Sequence, residues 1–461
     1  MTSTQDPVLF NTIEPRDDSD VEQAEPISFY DIQPTAYGGR GAFARSFIPQ
    51  GTLILSCPGP YASVIFRRFK REVCAWCFAY AFESGQRKWS VKLDEVDRNG
   101  AGAWFCSGSC RETWTTDYQA GDDGVGWWLD VNSALERSLC QIGKRGSKTD
   151  NATPSTSPMA FLDGLLGEKV TPEFIDQAWN LAQEVSFEES KQGARNSWTE
   201  ELNEIEQDTV RFVLDALMRK VIDDSKSKSA DRPLDTSIRN MPHVGIGLWP
   251  EFLDLQNNEL ALLQSKPYLL ESQLLSYRFL RHFVMTSQSR SSYSRKKSKV
   301  DLTNLDVDYS MHPIERLRSF LSTPTITRSI LGRDYGNVFG IWDMSSSEQG
   351  SEMLGWGAYV FGSYFNHGMH FAVSRNVSKT IFYLDCSPNL KKSRDKRGIA
   401  FYTLRDVYPG EELCIAYIDE TASLNERIES LQKDWFFTCR CTRCSREMVS
   451  EPPNLQMIPM K

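Results

Sequence analysis

The chain of 461 residues has no long hydrophobic run. Its longest purely apolar stretch is Val73–Phe82, far short of the roughly 18 residues a membrane-spanning helix needs, so a transmembrane helix is excluded. A secretory leader is not expected either: Met1–Glu25 is acidic and polar, without a basic start and an apolar stretch behind it. The expected location is therefore the nucleus or the cytoplasm, with reduced thiols. There is no excess of positive charge, since 52 Lys and Arg stand against 61 Asp and Glu for a net −9. That excludes a protein whose whole surface grips nucleic acid and leaves only local basic patches. No internal repeat is visible, and the length predicts two to four units.

Cysteine is what the chain has in quantity: 11 residues, an odd number that fits poorly with full disulfide pairing. Cys74-x2-Cys77 and Cys106-x3-Cys110 form two close pairs, and Cys439-x-Cys441-x2-Cys444 crowd near the C-terminus. Cys57, Cys140, Cys386 and Cys414 are scattered. Zn²⁺ takes four soft or borderline ligands at tetrahedral angles, and close pairs on tight turns supply two each at little entropic cost. The first four cysteines make a full set; the plainer alternative is a core of reduced thiols around Trp76 and Trp104. The C-terminal three lack a fourth ligand in their own run, and a merely buried or flexible cysteine-rich tail is the alternative there.

Residues 1–26 are acidic, rich in Pro and Ser/Thr, and expected to be disordered. From Ile27 to about Phe66, short apolar runs are broken by Gly38-Gly39, Gly41, Pro49-Gln50-Gly51 and Pro58-Gly59-Pro60, which predicts short strands and tight turns. Gly143–Pro158 has linker composition. Thr171-Pro172-Glu173 reads as a cap with proline at the first helical position, and the spacing of Leu202, Ile205, Thr209, Val213 and Leu217 predicts a second helix. A third is predicted over about Pro267–Phe283, followed by a basic surface loop, Ser287–Lys299. After Thr325 the pattern turns to strands, at Ile381–Leu384, Ile399–Leu404 and Leu413–Ile418.

Four separated stretches together resemble the SET domain of protein lysine methyltransferases. They are Gly39-Arg40-Gly41 with the Ile48-Pro49-Gln50-Gly51 turn, Ser363-Tyr364-Phe365-Asn366-His367, Gly410-Glu411-Glu412-Leu413-Cys414-Ile415-Ala416-Tyr417, and Trp435-Phe436-Phe437-Thr438-Cys439-Arg440-Cys441-Thr442-Arg443-Cys444. The resemblance is closest to the SET-and-MYND subfamily and covers about Pro26–Arg446. It implies an α+β fold: a SET β-fold interrupted by a small zinc finger and a helical insert, with a cysteine-rich post-SET segment. The implied division is 27–66 and 335–420 for the SET parts, 67–118 for a MYND-like finger, and 119–334 for linker and insert. The post-SET segment is 421–448 and the tail 449–461. The finger keeps four cysteines and so one zinc site, where the full MYND pattern holds two.

The resemblance implies S-adenosylmethionine-dependent methylation of a protein lysine, histone or non-histone, with chromatin as one setting and no membrane partner. The alternative is a catalytically inactive SET-fold scaffold that binds protein partners through its finger. Tyr417 is the candidate for the active-site hydroxyl, and Trp435 stands where relatives place an aromatic-wall tyrosine. Gly39, Arg40, Gly41, Asn337, Asn366, His367, Tyr417 and Phe437 are the candidate donor-binding residues. Cys74, Cys77, Cys106 and Cys110 are the ligands of one zinc, and Cys439, Cys441 and Cys444 of another. The family pattern continues Asn-His with Ser-Cys and then Pro-Asn; after Asn366-His367 the next residues are Gly368-Met369-His370. Met369 takes the cysteine's place, so His370 is the candidate fourth ligand, the alternatives being a three-coordinate or an empty site. Methyl transfer to a neutral amine is governed by alignment and by burial that lowers the ammonium pKa. The basic run Lys391–Arg397 reads as a solvated hairpin loop or a contact for an acidic partner such as nucleosomal DNA. Ser294–Lys299 reads as a surface run or a nuclear-import patch.

Overall fold

The computed structural model describes residues 28–35, 38–93, 102–120, 124–145, 169–184, 202–226, 243–286, 312–344, 351–368, 373–376, 379–382 and 388–450. The N-terminal acidic stretch, the tail from residue 451, Ser294–Lys299, Met369 and His370 lie outside them.

Two apolar periodicities build the molecule: period two in the short strands and period three to four in the central helices. Strand Leu53–Cys57 pairs antiparallel with Gly398–Thr403, which pairs with Leu390–Asp395. A second three-stranded sheet has Met353–Gly357 at its centre, flanked by Ser63–Ile65 and Phe339–Trp342. The hairpin Tyr30–Pro34/Arg40–Ala44 opens the SET part. The segment 405–417, some 370 residues later, runs back beside it: Gly410 N–H donates to Ala44 at 2.8 Å, and Leu413 N–H to Ala42 at 2.7 Å. The strand expected over Leu413–Ile418 is only Cys414–Ile415, parallel to Asn366–His367. Each of these strands is two residues long and the other is its partner in a two-stranded sheet.

In the insert, Thr171 Oγ1 accepts from Phe174 N–H at 3.2 Å and starts helix Pro172–Glu184, which buries Ile175, Ala178, Trp179 and Ala182 along one face. Helix Glu204–Lys226 opens on a reciprocal cap between Asn203 and Glu206 (2.8 and 3.0 Å). Val210, Val213, Leu217 and Val221 are fully buried, and Asp215 accepts from Ser63 N–H at 2.9 Å, tying the insert to the second sheet. The third expected helix is observed as Leu269–Thr286. Two expectations need correction. Gly143–Arg145 belong to helix Gly126–Arg145 rather than to a linker, because Trp127, Val131, Leu135 and Leu139 recur at helical spacing and are buried. Strand structure does not begin at Thr325: Thr325–Asp334 is a helix with Ile330 and Leu331 in the core, and the strands resume at Phe339. Among the described residues no helix is long and apolar enough to cross a membrane.

Candidate functional site

Asn366 sits where three segments meet. Its side-chain amide donates to the Arg40 carbonyl at 3.0 Å and to Glu412 Oε1 at 2.8 Å. With both N–H groups spent, Oδ1 is the group left to accept from a ligand. Gly41 makes this contact possible: a Cβ there would lie 2.4 Å from Glu412 Oε1 and 2.7 Å from Asn366 Nδ2. Asn337, almost wholly buried, repeats the pattern by donating to the Gln256 and Arg333 carbonyls, both at 3.0 Å.

These residues border a cavity of about 270 Å³. Of the candidate site residues, Gly39, Arg40, Asn337, Asn366, Tyr417, Trp435 and Phe437 line it. Gly41 and His367 are not in the lining; Gly41 supports Asn366, and His367 packs behind Tyr417 with ring centroids 5.6 Å apart. Trp435 stands 5.5 Å from Tyr417, and Phe437 is 6.3 Å from His367, so one wall is aromatic.

Protonation in this wall follows from burial. The Tyr417 hydroxyl donates to the Phe365 carbonyl at 3.1 Å, and burial pushes its pKa above the ordinary phenol value. Tyr417 therefore stays a neutral donor at physiological pH. Burial pushes His367 down to about 4, and its Nδ1 accepts from Tyr417 N–H at 3.2 Å, so the imidazole is neutral and fixes the Tyr417 backbone.

Sequence reasoning missed the insert's share of the cavity. Leu255, Gln256 and Asn258 line it from the insert, and Gly336, Ser363 and Tyr364 of the SET part complete the lining. Asp254 holds Arg40 by an Nη1–Oδ2 contact of 2.8 Å and accepts from the Tyr364 hydroxyl at 2.5 Å, while the guanidinium lies 5.3 Å over the Tyr364 ring. Arg40 and Asp254 are 214 residues apart, and no spacing rule joins them. Asn389 was missed too. It is fully buried, accepts from Cys414 N–H at 2.7 Å and donates to the Glu412 carbonyl at 2.8 Å. Its signal was available in Cys386-Ser387-Pro388-Asn389, a Cys-x-Pro-Asn run standing 20 residues beyond Asn366 rather than directly after His367.

The cysteines gather as their spacing predicts. The sulfurs of Cys74, Cys77, Cys106 and Cys110 all lie within 4.8 Å of one another, as do those of Cys439, Cys441 and Cys444. Tetrahedral Zn–S bonds of about 2.3 Å place sulfurs about 3.8 Å apart, so both clusters fit zinc. In the first, Phe78 turns back in the left-handed region (φ 60°), donating its N–H to Cys74 O at 3.0 Å, and closes the knuckle. Ser107 caps helix Gly108–Tyr118 by accepting from Cys110 N–H at 3.2 Å, which presents Cys106 and Cys110 together. A hydrogen bond from Cys77, with backbone N–H groups, pulls the Cys74 thiol below its ordinary value, toward the thiolate a metal needs. The C-terminal set shows three ligands among the described residues, with His370 outside them.

The basic run Lys391–Arg397 is not a solvated loop. Its first five residues lie in strand Leu390–Asp395, and the run docks on the finger. Arg397 stacks 4.0 Å over the Trp76 ring and donates to the Trp76 carbonyl at 3.3 Å; Arg394 donates to the carbonyls of Phe78 (3.3 Å) and Trp342. Lys391 and Lys396 remain exposed. Guanidinium planes lie well on indole faces, so these cations join SET sheet to finger.

Comparison with known families matches residues 39–418 to the SET domain. The chain belongs to the SET-domain family. Among relatives of this SET protein, the potential protein lysine methyltransferase SET6 of Saccharomyces cerevisiae is 25% identical over 94% of this chain and 99% of its own length. A SET and MYND domain-containing protein of Dictyostelium discoideum is 33% identical over 25% of this chain and 19% of its own. The histone-lysine N-methyltransferase SET5 of Yarrowia lipolytica is 39% identical over 14% of this chain and 16% of its own.

Proposed function

We propose that this SET protein is a protein-lysine N-methyltransferase that takes its methyl group from S-adenosylmethionine. The observation that carries the reading is the single cavity onto which Asn337, Asn366, Tyr417, Trp435 and Phe437 converge from four separate stretches of chain. Its donor set suits the cofactor: two asparagines with spent N–H groups offer carbonyl oxygens to an ammonium, and Phe437 offers a flat face to a base. When bound, the cofactor supplies an electrophilic methyl on a sulfonium.

The chain's own residues do the rest. Tyr417, held protonated, is no general base; its ring and that of Trp435 form a wall that burial makes hostile to an ammonium, favouring the neutral amine that attacks. Asn366 and Asn337 fix the donor's amino-acid end, so alignment supplies most of the rate. The Cys74 cluster holds one zinc and the Cys439 triad a second. For the fourth ligand of the second we propose Cys386, from the Cys-x-Pro-Asn run that ends at Asn389, with His370, the candidate read from the sequence, as the alternative.

The test is titration calorimetry of the zinc-loaded chain with S-adenosylmethionine, beside Asn366→Ala. Micromolar binding that weakens at least tenfold in the variant is expected, followed by methyl incorporation into a lysine peptide library. A folded chain with two zincs and no binding would end the enzyme reading and leave the scaffold one. Substrate protein, chromatin association and residence in nucleus or cytoplasm follow from identifying the methylated lysine.

A further inference from the structure

Helix Leu424–Trp435 buries a cation beside the cysteine triad. Arg427 is 1% exposed, its Nη2 lies 3.9 Å from Cys444 Sγ, and its Nη1 donates to the Ala422 carbonyl at 2.5 Å. The same Nη2 meets the Glu447 carboxylate, which Arg443 Nε shares at 2.7 Å. A buried guanidinium persists only where negative charge meets it. Glu447 is about one-third exposed and serves two arginines, so it meets that need in part. Sulfur meets the remainder: a divalent ion with three thiolates leaves one negative charge, and with four leaves two.

We propose that Arg427 is a positioning residue of the C-terminal zinc centre. It faces the cysteine sulfurs with a buried positive charge that offsets the negative charge of a thiolate-bound ion, and through its helix it couples metal retention to the aromatic wall of the cavity. The coupling is short-range: the helix ends at Trp435, and Phe437 lies between it and Cys439. Leu424, Ile428 and Leu431 of this helix share one buried cluster with the three cysteines. Removing the cation leaves the negative charge of the thiolate-bound ion without its buried partner, so the ion is held less firmly.

This inference rests on the zinc reading of the triad, and the experiment separates the two. Zinc release from the full chain to a chromogenic chelator is followed over time at fixed pH for the unaltered protein, Arg427→Met, Arg427→Lys and Arg443→Met. The finger's zinc is the internal reference. One of two zincs is expected to leave Arg427→Met about tenfold faster, the size typical of residues that support metal ligands. Arg427→Lys should recover most of the retention, and Arg443→Met should release like the unaltered chain. If Arg427→Met does not fold, Arg427→Gln against Arg427→Lys makes the same comparison of charge. Equal release from the methionine and unaltered chains, or from the lysine and methionine chains, overturns the role of Arg427. An unaltered chain holding a single zinc overturns the zinc reading instead.

Discussion

At the scale of single residues the site depends on what is too small as much as on what is reactive. Gly41 leaves room for the Asn366–Glu412 hydrogen bond, and a methyl group there would touch both partners. Glu412 can swing away, but only by releasing Asn366, so the two costs are linked. Gly41→Ala is expected to weaken S-adenosylmethionine binding about tenfold and to cost about 1–3 kcal/mol of stability, as overpacking does. Calorimetry and thermal unfolding check this; unchanged affinity would mean that the Asn366–Glu412 pair does not shape the donor site. Asn366, Tyr417 and Phe437 were readable in advance because each sits in a short run with its own pattern. Asp254, Gln256 and Asn258 were not, since what makes them part of the site is a neighbour distant in sequence.

Among elements, those whose stability is local were the ones spacing and caps could predict. Helices Pro172–Glu184 and Glu204–Lys226 carry capping residues and apolar faces in their own sequences. Strand Cys414–Ile415 carries neither; it exists because Asn366–His367 lies beside it. The basic run shows the converse error. Charge composition suggested solvent, but strand pairing with Gly398–Thr403 and stacking on Trp76 place Arg394 and Arg397 inside a junction. Arg397→Ala should therefore destabilise the protein by about 2 kcal/mol, the sum of a stacked cation and a hydrogen bond. It should also speed labelling of the finger cysteines by a thiol reagent. Denaturant unfolding with thiol counting reads both, and an unaffected finger would return the run to the surface role first expected of it.

The whole molecule is closed by metal-type clusters at two places: one between SET sheet and insert, one beyond the last strand. The first cluster joins two pairs about thirty residues apart, and the second shows three sulfurs from one run among the described residues. Zinc content is expected at two per chain, falling to one in Cys386→Ser and staying at two in His370→Ala. With the second zinc lost, the aromatic wall that includes Trp435 and Phe437 should loosen and donor affinity fall at least tenfold. The reverse zinc pattern would assign the ligand to His370.

The sequence alone determined what depends on neighbours: cysteine pairs at ligand spacing, capped amphipathic helices, and the short runs that mark a SET protein. Each is set by contacts within a few residues, where chain geometry leaves few options. The tertiary structure alone decided which carbonyls Asn337 and Asn366 hold, that Asp254 of the insert grips Arg40, and that the basic run binds the finger. Apart from the bond of Asn337 to the Arg333 carbonyl four residues away, those contacts span from 81 to 326 residues of chain, beyond any local rule, and arise only when separate hydrophobic faces are buried together.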